Sequence, residues 1–182
     1  LSGITPAISA SCRDLTVQAI TESKLRGGRT SMDVNYRAKL WSPEQAASTL
    51  SPILEEVDIL ISTEADIRLL YNIEAPVEMM ITQLRERFDC RTVVVTLATG
   101  GAVGWSEETG TLRTGPHPVE QVDRLGAGDA FDAGLLYGLL RDDLKMGLSC
   151  ASALAALSYS EQGDMTWSTA DEVMSLAAQT LE

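Results

Sequence analysis

Histidine, cysteine and basic charge are all scarce in this chain. His117 is the only histidine among 182 residues, and the three cysteines, Cys12, Cys90 and Cys150, are widely spaced with no C-x-x-C pair. A structural zinc site and a Cys/His nucleophilic pair are disfavoured; free buried thiols in a reducing cytoplasm are the expectation. Lys and Arg number 14 against 26 Asp and Glu, a formal net charge of −12. That balance argues against nucleic acid or an anionic membrane surface as partner. No apolar run approaches the roughly 20 residues of a transmembrane helix, and no signal-peptide pattern is present.

What is present reads as one α/β domain over residues 1–182. The length and a hydrophobic fraction of 45% suffice for a real core. Residues 16–26 have helical spacing and end at Gly27-Gly28; residues 29–35 alternate like a strand. Ser42-Pro43-Glu44 starts a helix, and 57–62 is a short buried strand. Helices are expected over 64–71 and 77–88, and a β-branched central strand over 92–97. A hairpin follows, with strands at 101–106 and 111–113, then helices over 127–140, 144–159 and 169–181. Strands alternating with helices imply a mostly parallel sheet with helices on both faces. Ligands of such sheets bind beyond the carboxyl ends of the strands. Residues 35–37, 63–66 and the loop after Leu97 all fall at such ends.

The most informative run is Val122-Asp123-Arg124-Leu125-Gly126-Ala127-Gly128-Asp129-Ala130-Phe131. Two glycines and an alanine precede an acid and an apolar helix. Glycine lets the backbone approach an anion, and a helix start favours negative charge there. An aspartate beside a bound phosphate is suited to take a proton from an attacking hydroxyl. A tight turn with an ordinary first-turn acid is the structural alternative.

Asp123 to Phe131 resembles the D-x-x-G-A-G-D-x-F signature of the ribokinase-like, or PfkB, carbohydrate kinases. Asp33-Val34-Asn35-Tyr36-Arg37 with Leu40-Trp41-Ser42 resembles the D-x-N-Y-R-x-x-L-W-S stretch of 2-keto-3-deoxygluconate kinases. Leu1 to Ala7 is similar to the segment that precedes it there. The resemblance implies a ribokinase-like three-layer α/β/α fold of which this chain is the C-terminal part, with the first strands, the β lid and a sugar-binding glycine pair lying upstream. It implies an ATP-dependent sugar kinase with 2-keto-3-deoxygluconate as the leading substrate, with magnesium, in the cytoplasm. The truncated chain is then expected to be inactive alone. A homo-oligomer is compatible with the resemblance.

The resemblance also implies roles. Asp129 is the base and contacts the sugar hydroxyl; Gly126, Ala127 and Gly128 offer N–H groups to the transferred phosphoryl group. Arg37, with Tyr36, meets the sugar acid, whose carboxylate suits a planar guanidinium. Thr63 and Asp66 stand where the family has N-x-x-E, which organises magnesium through water. Asp66 is a methylene shorter than Glu, and a helix cap with an acid at its third position fits as well. Asp123 corresponds to a monovalent-cation ligand, K+ in this reading, although Arg124 and Leu125 depart from the pattern. Thr96, Ala98 and Gly101 match the nucleotide loop, together with Gly126 and Gly128. There Ala98 replaces a glycine, which strains the chain if the position needs positive φ. Two other readings stand beside this one: another kinase of the superfamily, such as ribokinase or fructokinase, and a non-catalytic scaffold derived from a kinase.

Overall fold

The computed structural model describes residues 1–180. Two compact units divide the chain: Leu1–Thr96 with Trp105–Glu107, and Leu97–Gly104 with the chain from Glu108 onward.

The first unit opens with α1 (Ile4–Ile8), a short helix that the hydrophobic spacing does not announce. Helix α2 (Ala10–Leu25) begins well before the expected residue 16. The Ser9 hydroxyl accepts the Cys12 N–H and caps its start. Only Thr16 and Ile20 of this helix are buried, so its early turns carry no apolar stripe to read. Strand β1 (Ser31–Asp33) is shorter than the expected 29–35. Asn35 turns left-handed, with φ of 41°, and ends the strand.

Helix α3 (Pro43–Leu54) begins with a reciprocal capping box between Ser42 and Gln45, with proline at the first helical position. Strand β2 (Ile59–Thr63), helices α4 (Glu64–Tyr71) and α5 (Val77–Phe88), and strand β3 (Thr92–Thr96) lie close to where the pattern puts them. Asn72 and Asp89 end α4 and α5 in the left-handed conformation. β1 pairs parallel with β2, and β2 with β3. Both β2 and β3 bury every side chain but the last, as a parallel strand covered on both faces should. α4 packs on β2 and α5 on β3.

The second unit holds a 3₁₀ turn (Ala98–Gly100), β5 (Gly110–Thr114), and helices α6 (Ala127–Leu139), α7 (Leu144–Tyr159) and α8 (Ala170–Ala177). Strand β4 (Ala102–Ser106) gives residues to both units. The strand order is β1-β2-β3-β4-β5, the mostly parallel α/β arrangement that the alternation implies. The last expected helix gives way to a 3₁₀ turn at Ala178–Thr180, and Leu181 lies outside the described residues. Cys90 and Cys150 are buried free thiols, and burial pushes Cys90 up to about 12, which makes it inert. Cys12 is half-buried instead.

Helices α6 and α7 approach backbone to backbone. A Cβ on Gly134 would meet the main chain of Cys150 and Ala151, and one on Gly138 would collide with Gly147. Close approach fixes α6, and therefore the turn at its start. Gly138→Ala should lower stability by about 1–3 kcal/mol through overpacking. Urea unfolding checks this, and an unchanged midpoint would contradict the packing described.

Candidate active site

In the second unit, the turn before α6 is built from backbone geometry that only glycine supplies. Gly126 has φ of 75°, and a Cβ there would strike the Asp164 carbonyl. Both facts demand glycine. The Asp123 carboxylate closes the turn. Its Oδ1 accepts the main-chain N–H of Arg124 at 2.6 Å and of Leu125 at 3.3 Å, and its Oδ2 accepts Gly163 N–H at 3.1 Å. These bonds hold the Asp123 carboxyl below the usual carboxylate range. The N–H groups of Val122 and Asp123 both reach the Tyr159 carbonyl, which anchors the turn to the end of α7.

Helix α6 then starts without a side-chain cap. Its first-turn N–H groups have no intrahelical partner, and the helix dipole makes the start electropositive. Ala127 is buried, whereas Gly128 and Asp129 are exposed. A Cβ added to Gly128 would meet no atom within 4 Å. Gly126 is thus required by the protein's own packing, whereas Gly128 is not. The position beside Gly128 is open.

The loop after β3 belongs to the same unit from Leu97 onward. The Leu97 N–H donates to the Gly101 carbonyl at 2.8 Å, and Gly100 N–H to the Leu97 carbonyl at 2.8 Å. Ala98 takes φ of 49°, so the strain conditional on positive φ is present. Gly101 has φ of 83°, and a Cβ would collide with the Thr114 carbonyl on β5. The adjoining Gly115 carbonyl accepts the Ser152 hydroxyl of α7 at 2.8 Å. Strand β5 packs on α7 and α7 on α6, so loop and glycine turn share one scaffold.

The residues expected on the sugar side lie in the first unit, at the carboxyl ends of β1 and β2. Asn35 N–H donates to Asp33 Oδ1 at 3.1 Å, and its amide to Ser2 Oγ at 3.2 Å. Asp33 and Asn35 therefore shape the strand end. Asn tolerates the left-handed region, which is the signal in D-x-N for this kink. The Tyr36 hydroxyl donates to the Trp41 carbonyl at 3.1 Å and closes the following turn. Arg37 is exposed, with its guanidinium near the Tyr36 carbonyl at 3.3 Å.

Thr63 caps α4, accepting the Asp66 N–H at 3.0 Å. Burial raises the Asp66 carboxyl above its usual value, against the opposing influence of the Thr63 hydroxyl, the Tyr36 main chain and the Arg37 charge. Thr63 and Asp66 are joined by the cap of α4, and Tyr36 and Arg37 follow the end of β1. No group of three or more His, Cys, Asp or Glu suited to a metal ion occurs among the described residues. None of the described helices is long and apolar enough to cross a membrane. Sequence reasoning missed Gly163 and Asp164 as supports of the glycine turn. Gly163, with φ of 100°, forms a tight bend between α7 and α8, and no sequence signal names its partner across the turn.

Residues 1–171 match the pfkB family carbohydrate kinase. The chain belongs to this family. It is 35% identical over 174 residues to the 2-dehydro-3-deoxygalactonokinase of Haloferax volcanii, covering 94% of this chain and 54% of that one. Among solved structures it resembles 2-dehydro-3-deoxygluconokinase from Thermotoga maritima (TM-score 0.83, 28% identity, 97% of this chain and 58% of that one). It also resembles a putative Ribokinase II from E. coli in complex with ATP and Mg2+ (TM-score 0.84, 28% identity, 98% and 57%). The chain spans about half the length of the curated relatives it matches, 54%, 50% and 56% for the first three.

Three substitutions separate fold from function in the second unit. Gly126→Ala should destabilise by about 2–5 kcal/mol, from left-handed strain and overpacking together. Gly128→Ala should leave stability unchanged or raise it by up to about 1 kcal/mol, yet weaken nucleotide binding at least about tenfold, a loss near 1.4 kcal/mol. Unfolding curves beside nucleotide titrations check both. Ala98→Gly should stabilise by about 1 kcal/mol, since relief of the left-handed strain exceeds the added unfolded-state entropy; a fall in the unfolding midpoint would contradict the strain.

Proposed function

We propose that the protein to which this chain belongs is an ATP-dependent kinase of a 2-keto-3-deoxy sugar acid. The uncapped, exposed start of α6, with Asp129 in its first turn and open space beside Gly128, carries the reading. The relatives named for 2-dehydro-3-deoxy sugar acids support the substrate class. Arg37 at the end of β1 adds a group that pairs with a carboxylate in bidentate fashion.

Asp129 accepts the proton of a primary hydroxyl as that oxygen attacks the γ-phosphorus of ATP. The new P–O bond forms as the bond to the β,γ-bridging oxygen breaks, and ADP leaves with that electron pair. Charge spreads over the equatorial oxygens of the transferred group. The N–H groups of Ala127 and Gly128 are pre-aimed at that charge and need no reorganisation. Gly126 shapes the approach, and the loop carrying Thr96, Ala98 and Gly101 serves the nucleotide. Magnesium, arriving with ATP as the substrate complex, neutralises the β- and γ-phosphates when bound. Asp123, whose carboxylate accepts three main-chain N–H groups of the turn, is the residue that would hold a monovalent cation. Arg37 orients the sugar acid through its carboxylate.

In the protein as its gene encodes it, Asp129→Asn should lower kcat about 10²–10⁴-fold, the usual worth of a general base, with nucleotide affinity nearly unchanged. Arg37→Ala should raise KM for the sugar acid about 10- to 150-fold, for a lost charge-assisted bond of about 1.5–3 kcal/mol, and leave KM for ATP alone. Steady-state kinetics decide. Near-normal kcat in the Asn variant would remove Asp129 from the chemistry, and equal effects on both substrates would make Arg37 structural.

A further inference from the structure

We infer that Glu161 is a positioning residue for the glycine turn: its carboxylate closes the loop between α7 and α8 on itself, and the closed loop holds Asp164 against Gly126 and Gly163 on Asp123. This rests on the reading of the α6 start as the place of phosphoryl transfer.

The loop runs from Glu161 to Ser168, between the end of α7 and Thr169, the capping residue of α8. Among the described residues no hydrogen bond joins two main-chain groups within 162–168. Apolar burial does not anchor it either, since Met165 is 61% exposed and Trp167 78%. A loop with neither ladder nor apolar anchor takes its shape from polar side chains that bond to its own main chain.

Glu161 makes the longest-reaching of these bonds. Its Oε2 accepts the Trp167 main-chain N–H at 2.7 Å, and its Oε1 accepts the Ser168 hydroxyl at 3.2 Å. The Ser168 hydroxyl in turn accepts from the Thr166 hydroxyl at 3.0 Å, and Thr166 Oγ1 accepts the Ser168 N–H at 3.3 Å. Each hydroxyl donates once and accepts once, and both carboxylate oxygens are used, so the network is closed. The capping box of Thr169 and Glu172 is local to α8 and does not reach back across the loop.

Gly163 and Asp164 lie inside the ring that Glu161 and Trp167 close. Gly163 gives its N–H to Asp123 Oδ2 at 3.1 Å, and the Asp164 carbonyl occupies the place that a Cβ on Gly126 would need. The Glu161 carboxylate bonds to Trp167 and Ser168 and not to the glycine turn, so its effect runs through Gly163 and Asp164. N–H groups that stabilise developing charge act through their fixed aim. A loosened loop therefore slows transfer and leaves the hold on the sugar acid alone.

Glu161→Ala and Glu161→Gln in the protein as its gene encodes it form the test, with 2-keto-3-deoxygluconate and Mg·ATP as probes. Glu161→Ala should lower kcat about tenfold, equivalent to about 1.4 kcal/mol of transition-state stabilisation. Its KM for the sugar acid should stay within about twofold of the parent, as for a group that acts only in the transition state. Glu161→Gln keeps an oxygen for the Trp167 N–H and an amide for the Ser168 hydroxyl, so its kcat should return to within about threefold of the parent. Amide hydrogen exchange follows the same contacts without turnover. Exchange at Gly163 should quicken about tenfold in the Ala variant and stay slow in the Gln variant, with the amides of β2 and β3 unchanged in both. Near-parental kcat in the Ala variant overturns the inference, as does a Gln variant no faster than the Ala variant. Exchange at Gly163 that ignores Glu161→Ala overturns it too. Quickened exchange throughout α6 and α7 with a lowered urea midpoint in both variants would make Glu161 a general stabiliser and likewise overturn it. A parent protein that transfers no phosphate to the sugar acid would instead refute the reading of the α6 start, and exchange at Gly163 would still judge Glu161.

Discussion

The structure of the second unit depends on one constraint, the left-handed main chain at Gly126 pressed against the Asp164 carbonyl. No residue with a side chain satisfies both the dihedral and the contact. The Asp123 carboxylate, bonded to three N–H groups on both sides of this contact, makes the turn a rigid corner. Tight packing of α6 on α7 through Gly134 and Gly138 then fixes the direction of the helix that leaves it. What results is an electropositive helix start with an acid in its first turn. Its geometry is set by sterics and main-chain bonds.

The first unit solves a different problem, presenting a long cation at a strand end. The parallel ladder brings the ends of β1 and β2 side by side, and the Asn35 kink lifts Arg37 out of the sheet. Thr63, at the end of β2, caps the start of α4. Strand-end chemistry of this kind needs no long loop. The candidate side chains sit within a few residues of a buried ladder, and positional precision comes from the ladder itself.

Much of this was legible from residue pattern. The helices over Glu64–Tyr71, Val77–Phe88 and Leu144–Tyr159 follow apolar spacing, and the pattern predicts their bounds. The glycine turn was legible because its chemistry is local: a run of small residues before an acid and an apolar helix. α1 and the early turns of α2 were not, since most of their side chains are exposed and periodicity reports burial. The supports of the turn, Gly163 and Asp164, were illegible for another reason. They lie some 40 positions from Asp123, and sequence spacing carries no record of which distant carbonyl meets a glycine. The ambiguity at Thr63 and Asp66 was equally real, because a helix cap and a water-mediated metal contact use the same residue types.

The central claim is that the Gly126 turn transfers the γ-phosphoryl group of ATP to a hydroxyl of a substrate held by its carboxylate. The most direct measurement is the specificity ratio of the protein as its gene encodes it: kcat/KM with 2-keto-3-deoxygluconate against kcat/KM with fructose and ribose, with γ-phosphate followed into product. The account predicts phosphate on the sugar acid and a preference of at least about tenfold, the worth of one charge-assisted bond. Equal or better transfer to the neutral sugars would contradict it.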